Sequence, residues 1–182
     1  MTDTTGQVPS AAELADRLAI QDVINRHSRG VDRADAEILK SAYWPDAEVA
    51  YGGFDGPAHT FCESLPQGIR RYKSTQHNVS NTTIDFNGND AVAETYVTAF
   101  HYLAQDDAPD TEMHYFGRYV DHMQKRGDTW KILFRRVVMD WNLNTEASAD
   151  FSGPTFSGLA KGARSPDDPL NEMLTTVIGE ST

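Results

Sequence analysis

The stretch HNVSNTTIDFNGNDAVAETYVTAFHYL, residues 77–103, decides the fold. On either side of Asn87-Gly88 it alternates with a period of two, and Asn-Gly between two such runs is a strong hairpin signal. The pattern then continues. MHYFGRYVDHM (113–123) stops at QKRGD, and TWKILFRRVVMDWNLN (129–144) follows. Four runs joined by turns predict an antiparallel meander. Upstream the period changes. Leu14, Leu18, Ile20, Ile24 and Val31 recur at helical spacing, which predicts a helix over 11–31 with Ser10 as N-cap. A shorter helix is expected from Asp35 to Tyr43, ended by Pro45. AEVAYGG (47–53) reads as a short strand with Val49 and Tyr51 on one side, and a third helix is expected over about 60–72, opened or kinked by Pro66. Helices first and strands after is an α+β arrangement, with the helices on one face of a curved sheet. From Thr145 the chain is rich in Gly and Pro and reads as loop until PLNEMLTTVIG (169–179), a short final helix. The expected organisation is a polar lead over 1–10, one domain over 11–147 and a tail over 148–182.

Composition narrows the classes. With 39% hydrophobic and 24% charged residues in 182, the chain suits a soluble globular protein with a real core. A net charge of −11 argues against binding nucleic acid through a basic surface, and against adhesion to anionic lipid. No apolar run approaches the roughly 18 residues of a membrane span. The start, MTDTTGQVPSAAEL, lacks the basic-then-apolar order of a signal peptide, so a cytoplasmic location is expected. The single cysteine, Cys62, excludes an intramolecular disulfide and reads as buried. No H-x-H or H-x-x-x-H with a third ligand occurs, and His114 and His122 are eight apart on one expected strand. No phosphate loop or G-x-S-x-G elbow is present. Neither metal nor organic cofactor is expected.

The first helix poses a question. His27 lies on the face that Ile20, Ile24 and Val31 bury, and Asp32 follows within about a turn. A buried imidazole needs a partner, and a buried carboxylate needs more. Either the stripe has a polar flaw or one end of it opens into a pocket.

The ordered set of the helix ending in GVDRAD (30–35), TQH (75–77), AETY (93–96), GRYVD (117–121) and W-x-I-x-x-R-x-V-x-x-D-W (130–141) resembles the SnoaL-like family of the nuclear transport factor 2-like superfamily, over about 11–143. The resemblance implies a cone of strongly curved antiparallel sheet, its mouth closed by the N-terminal helices, around an internal pocket. It implies relatives such as scytalone dehydratase, hexachlorocyclohexane dehydrochlorinase and bile acid 7α-dehydratase, which eliminate water or chloride without a cofactor. Other relatives are isomerases, polyketide cyclases, dioxygenase small subunits and binding proteins, so the site must decide.

By the same resemblance, His77 is a base and Asp32 the carboxylate that orients it. That division of labour is sound chemistry, because neutral imidazole accepts a proton near neutral pH and a carboxylate on its other nitrogen fixes the tautomer. The alternative is a strand histidine and a helix-end cap. His27 stands where relatives carry tyrosine or lysine facing the pocket, and it either donates to substrate or is satisfied by a backbone carbonyl. Tyr51 matches a family tyrosine suited to bonding a substrate oxygen, or else packs across the cone. Arg135 and Arg136 point to opposite faces, and both faces are apolar, so Arg135 rests on the resemblance alone. It either stabilises a departing anion, carboxylate or enolate, or forms an ion pair with Glu94 or Asp121. Phe54, Tyr96 and Tyr119 are expected to shape the pocket with Trp44, Phe100, His101, His114 and Phe116. Asn81, four residues after His77, is expected on the same strand face.

The expected activity is that of a dehydratase-like lyase or isomerase acting on a small to medium, mostly apolar oxygenated substrate. The alternatives are a non-catalytic ligand-binding or subunit-assembly module, such as a dioxygenase small subunit, and a polyketide-type cyclase. A homo-oligomer is expected, a trimer before a dimer.

Overall fold

A computed structural model of the chain describes residues 6–179, so the first half of the expected polar lead lies outside the described residues. The order is α1 (Ala11–Arg33), α2 (Ala36–Ser41), β1 (Tyr43–Ala50), β2 (Asp55–Pro57), α3 (Ala58–Arg70), β3 (Ser74–Asn87), β4 (Asp90–Leu103), β5 (Thr111–Arg126), β6 (Thr129–Glu146) and α4 (Pro169–Ile178). One six-stranded sheet runs β2-β1-β6-β5-β4-β3. β3 to β6 form the expected meander, and the β1–β2 pair is also antiparallel. The β1–β6 pair is parallel, so the sheet is mixed. It does not close: β2 and β3 are its edges, and the structure is an open cone rather than a barrel.

Turns set the meander's register. Asn87 pairs with Asp90 and Arg126 with Thr129, leaving two-residue loops that begin with Gly88 and Gly127. Their φ values of 63° and 61° are a conformation that glycine adopts without a Cβ clash. Period two then sends Ala91, Ala93, Thr95, Val97, Ala99 and His101 of β4 to the buried face, where Ala91 and Ala93 join the core.

The helices differ from expectation in detail. Ser10 caps α1, its side chain accepting from Glu13 N at 3.1 Å. Burial starts only at Ile20, and Leu14 and Leu18 are exposed. The side of α1 turned to the sheet at that end instead carries Asp16, which accepts from Trp130 Nε1 and Lys125 Nζ, and Arg17, which donates to the Ile84 carbonyl. α2 ends at Ser41 and Tyr43 already begins β1, so Pro45 does not stop the helix. Pro45 lies where the β1–β6 pairing breaks between Tyr43 and Glu48, a place that needs no ladder N–H. α3 starts at Ala58 and runs through Pro66 rather than opening there.

The α1–α2 corner aims the end of α1. Ala34 takes φ 48°, a left-handed conformation that costs a residue with a Cβ about 1–2 kcal/mol, and its N–H closes on the helix's last carbonyls. Gly30 lets α2 cross closely: a Cβ there would stand 2.8 Å from Leu39 Cγ and 2.9 Å from Leu39 N. Gly30→Ala is therefore expected to destabilise the protein by about 1–3 kcal/mol despite alanine's better helix propensity. Urea unfolding checks this; a variant as stable as the parent would contradict the close crossing.

Candidate active site

Asp32, on the last turn of α1, meets the first residues of β3. His77 donates to it twice, from its backbone N to Oδ2 at 2.8 Å and from ring Nδ1 to Oδ1 at 2.8 Å. Thr75, two residues earlier on the same face, gives its hydroxyl to Oδ1 at 2.9 Å. Burial works against ionisation of this carboxyl. The hydrogen bonds from the His77 ring and backbone and from Thr75 prevail, and hold it below the usual 3.8. An ionised carboxylate only accepts, so Nδ1 carries the ring proton and Nε2 keeps a lone pair. Nε2 has no hydrogen-bond partner among the described residues. The dyad lies at a recess of about 430 Å³ bounded by Asn25, Ser28 and Arg29 of α1, Gln76 to Val79 of β3, and Asp168 and Leu170 near α4. This is an open recess at the edge of the cone, where an enclosed pocket was expected.

His101 of β4 is a neighbour that sequence reasoning placed only among the cavity-shaping residues. Its ring meets His77 edge-on at 5.3 Å and Tyr72 at 4.9 Å. Burial pushes its pKa down to about 4.

A second cluster lies inside the cone. Arg135, 0% exposed, grips Asp121 with two parallel bonds, Nε to Oδ1 at 2.7 Å and Nη2 to Oδ2 at 2.6 Å, and lies 4.0 Å from the Tyr119 ring centroid. Its Nη1 is buried without a partner among the described residues. His27, also 0% exposed, sits between Tyr43 Oη, 3.3 Å from Nδ1, and Tyr51 Oη, 3.2 Å from Nε2. Burial, then the charge of Arg135, pushes His27 well below 6.5, so it is neutral. Neutral imidazole has one N–H and one lone pair. Hence one tyrosine donates to His27 while the other accepts from it and keeps its own proton for a further acceptor. His27 was expected to face a pocket; it is instead fully buried, with its ring nitrogens bonded to Tyr43 and Tyr51. Tyr43 was read as the end of a helix, so nothing in the sequence singled it out.

A bulge decides between the two arginines. The β5–β6 register jumps from Met123–Ile132 to His122–Phe134, which skips Leu133. Ile132 and Arg135 therefore both face inward, and Arg136 is exposed. A second bulge, between Val79 and Thr82, overturns the expectation for Asn81: the inward set changes from Thr75, His77 and Val79 to Thr82, Ile84 and Phe86, and Asn81 is exposed. Tyr96 is also misplaced by the sequence reading. It falls between the inward positions Thr95 and Val97 and is 48% exposed on the outer face. Tyr119 is buried as expected, with its ring 5.6 Å from His27. Phe54 is half-buried against Phe61 at 5.7 Å, beside Tyr51, which stacks on the same ring at 4.2 Å. Cys62 is buried, and burial pushes its thiol up to about 12.

Residues 12–136 match the SnoaL-like domain, two thirds of the chain. The protein belongs to the SnoaL-like family. A protein of Mycobacterium tuberculosis, uncharacterized Rv2910c, is 29% identical over 133 residues, which span 70% of this chain and 87% of that one. A structure from Novosphingobium aromaticivorans with a provisional scytalone dehydratase name is 25% identical, with a TM-score of 0.62 over 82% of this chain and 97% of that chain. The type 3 hexachlorocyclohexane dehydrochlorinase LinA of Novosphingobium barchaimii is 22% identical, with a TM-score of 0.64 over 78% and 97% of the two chains, and shows a shared fold. Membership in the SnoaL-like family accounts for the helix-capped cone; the side chains within it are this chain's own.

The neutral histidines make stability fall with acid. A group whose folded pKa is depressed takes up a proton on unfolding. Its contribution is whole above the unfolded value near 6.5, and shrinks by about 1.4 kcal/mol per pH unit below that, until the folded value is reached. His101 adds the same loss down to about 4. His27→Asn should flatten the unfolding free energy between about pH 6.5 and 5 by one proton's worth of slope, measured by urea unfolding across pH. An unchanged slope would mean that His27 is already charged in the fold.

Proposed function

We propose that this SnoaL-like protein is a cofactor-independent lyase of the dehydratase type, acting on a small to medium, mostly apolar substrate with one or two oxygens. The observation that carries this is the Asp32–His77 contact beside the recess, with Nε2 left without a partner among the described residues. His77 Nε2 takes the proton from a carbon next to a carbonyl or activated ring, and Asp32 stabilises the imidazolium that forms. The C–H electrons become the new double bond, and the C–O bond to the leaving group breaks.

The second cluster bears on what leaves. A departing chloride needs net positive charge, whereas a departing hydroxide needs a proton. The charge of Arg135 is already met by the Asp121 carboxylate at 2.6 and 2.7 Å. The Tyr43–His27–Tyr51 chain holds exchangeable protons, and Tyr51 is its half-buried member. Tyr51 therefore protonates the leaving oxygen, and the departing group is water. Arg135, through its unpartnered Nη1, and Tyr119 hold the oxygen that gathers charge.

A panel of β-hydroxy ketones and their β-chloro analogues, followed by enone absorbance, tests this. His77→Ala should lower turnover by about 10²–10⁴-fold with the melting temperature preserved. Tyr51→Phe should slow loss of hydroxide more than loss of chloride. Undiminished turnover in His77→Ala would remove the mechanism.

We further propose that the protein works as a homotrimer in the cytoplasm. Among the described residues no helix is long and apolar enough to cross a membrane. The outer sheet face carries Tyr96, Trp141 and Leu143 in the open, with Trp141 stacked on Phe116 at 3.8 Å, an apolar patch suited to a second copy. Light scattering should give three times the chain mass; a monomer at micromolar concentration would contradict it.

A further inference from the structure

Beyond the matched domain, the tail returns to the dyad. Arg164, in the loop before α4, donates from Nη1 to the Asp32 carbonyl at 2.5 Å and to Thr75 Oγ1 at 2.8 Å. Its Nη2 donates to the Tyr72 carbonyl at 3.0 Å and reaches that of Ile69 at 3.5 Å. One planar fork thus joins the end of α1, the end of α3 and the start of β3. The loop is fastened on both sides: Ser165 N donates to the Arg33 carbonyl at 2.7 Å, Arg33 pairs with Asp168 at 2.5 Å, and Arg70 donates to the Ser165 carbonyl at 3.3 Å.

The Thr75 contact is the informative one. A hydroxyl has one hydrogen. By donating to Thr75 Oγ1, a guanidinium that has no lone pair to offer obliges that hydrogen to point elsewhere, and the acceptor within reach is Asp32 Oδ1 at 2.9 Å. The same oxygen receives His77 Nδ1. Arg164, Thr75, Asp32 and His77 therefore form a directed chain of donors that ends at the base's lone pair, which has no partner among the described residues. Tying the Asp32 carbonyl as well holds both the backbone and the side chain of that residue.

We propose that Arg164 is a positioning residue for the Asp32–His77 pair, so that the tail after residue 147, which carries it, is part of the site. Its consequence for turnover rests on the lyase reading above. The geometric claim does not, and the experiment separates them. The Nδ1 proton of a histidine bonded to a carboxylate resonates far downfield, and it can be followed by proton NMR of the ¹⁵N-labelled full chain without substrate. His77→Ala assigns the signal. In Arg164→Ala the signal should move upfield or broaden away while the far-UV spectrum stays that of the parent, and millimolar guanidinium should restore it. Arg164→Lys, which keeps the charge but cannot span the acceptors, should give an intermediate position and serves if the alanine variant folds poorly. With a turned-over substrate, Arg164→Ala should lose at least about tenfold in kcat with KM little changed. A downfield signal unmoved in both variants would overturn the proposal and leave Arg164 as an anchor of the tail. A signal that moves in a protein with no lyase activity would sustain it while removing the lyase reading.

Discussion

The Asp32 carboxylate holds together two parts of the chain that nothing in local sequence joins. Three donors converge on it, all from the first residues of β3, within 2.8 to 2.9 Å. Burying a carboxylate without partners would cost several kcal/mol, and these bonds offset that while fixing where β3 begins on α1. The same contact dictates chemistry. Because the acceptor is ionised, the imidazole has one tautomer available, and its lone pair is turned away from Asp32.

The interior cluster is harder to justify by stability. A buried ion pair such as Arg135–Asp121 is often matched by an apolar pair of the same volume, so its place in the core is weak support for a purely structural role. Around it lie a neutral histidine and three tyrosines, two of them bonded to that histidine. Burial raises the phenols of Tyr51 and Tyr119 well above their usual pKa, so they remain protonated and able to donate. On the proposed lyase reading, these groups would offer hydrogens to developing negative charge from positions already held in place.

The sequence told the meander and the Asp32–His77 contact well, for different reasons. Alternation over fourteen or more residues per strand, punctuated by glycine turns, is a signal that tertiary packing reinforces. Asp32 and His77 were reached through family resemblance, since 45 residues separate them. What failed were inferences of parity carried across a bulge. Asn81 lost its face that way, and the two arginines could not be told apart until Leu133 was seen to drop out of register. Tyr96 was misassigned although the parity of its own strand, set by Ala93, Thr95 and Val97, already turned it outward. Thr75 could have been found, because two residues before a strand histidine is the same face. Arg164 could not, since it approaches from a loop with no periodicity, 89 residues beyond Thr75.

Neutron diffraction from deuterated crystals grown near neutral pH tests the central claim most directly, because it shows where the hydrogens are on this pair. The account predicts deuterium on His77 Nδ1, none on Nε2, and a bare Asp32 carboxylate with the Thr75 deuteron pointing at it. Deuterium on Nε2 with an unprotonated Nδ1, or a protonated Asp32, would contradict it, for His77 could not then act as the base.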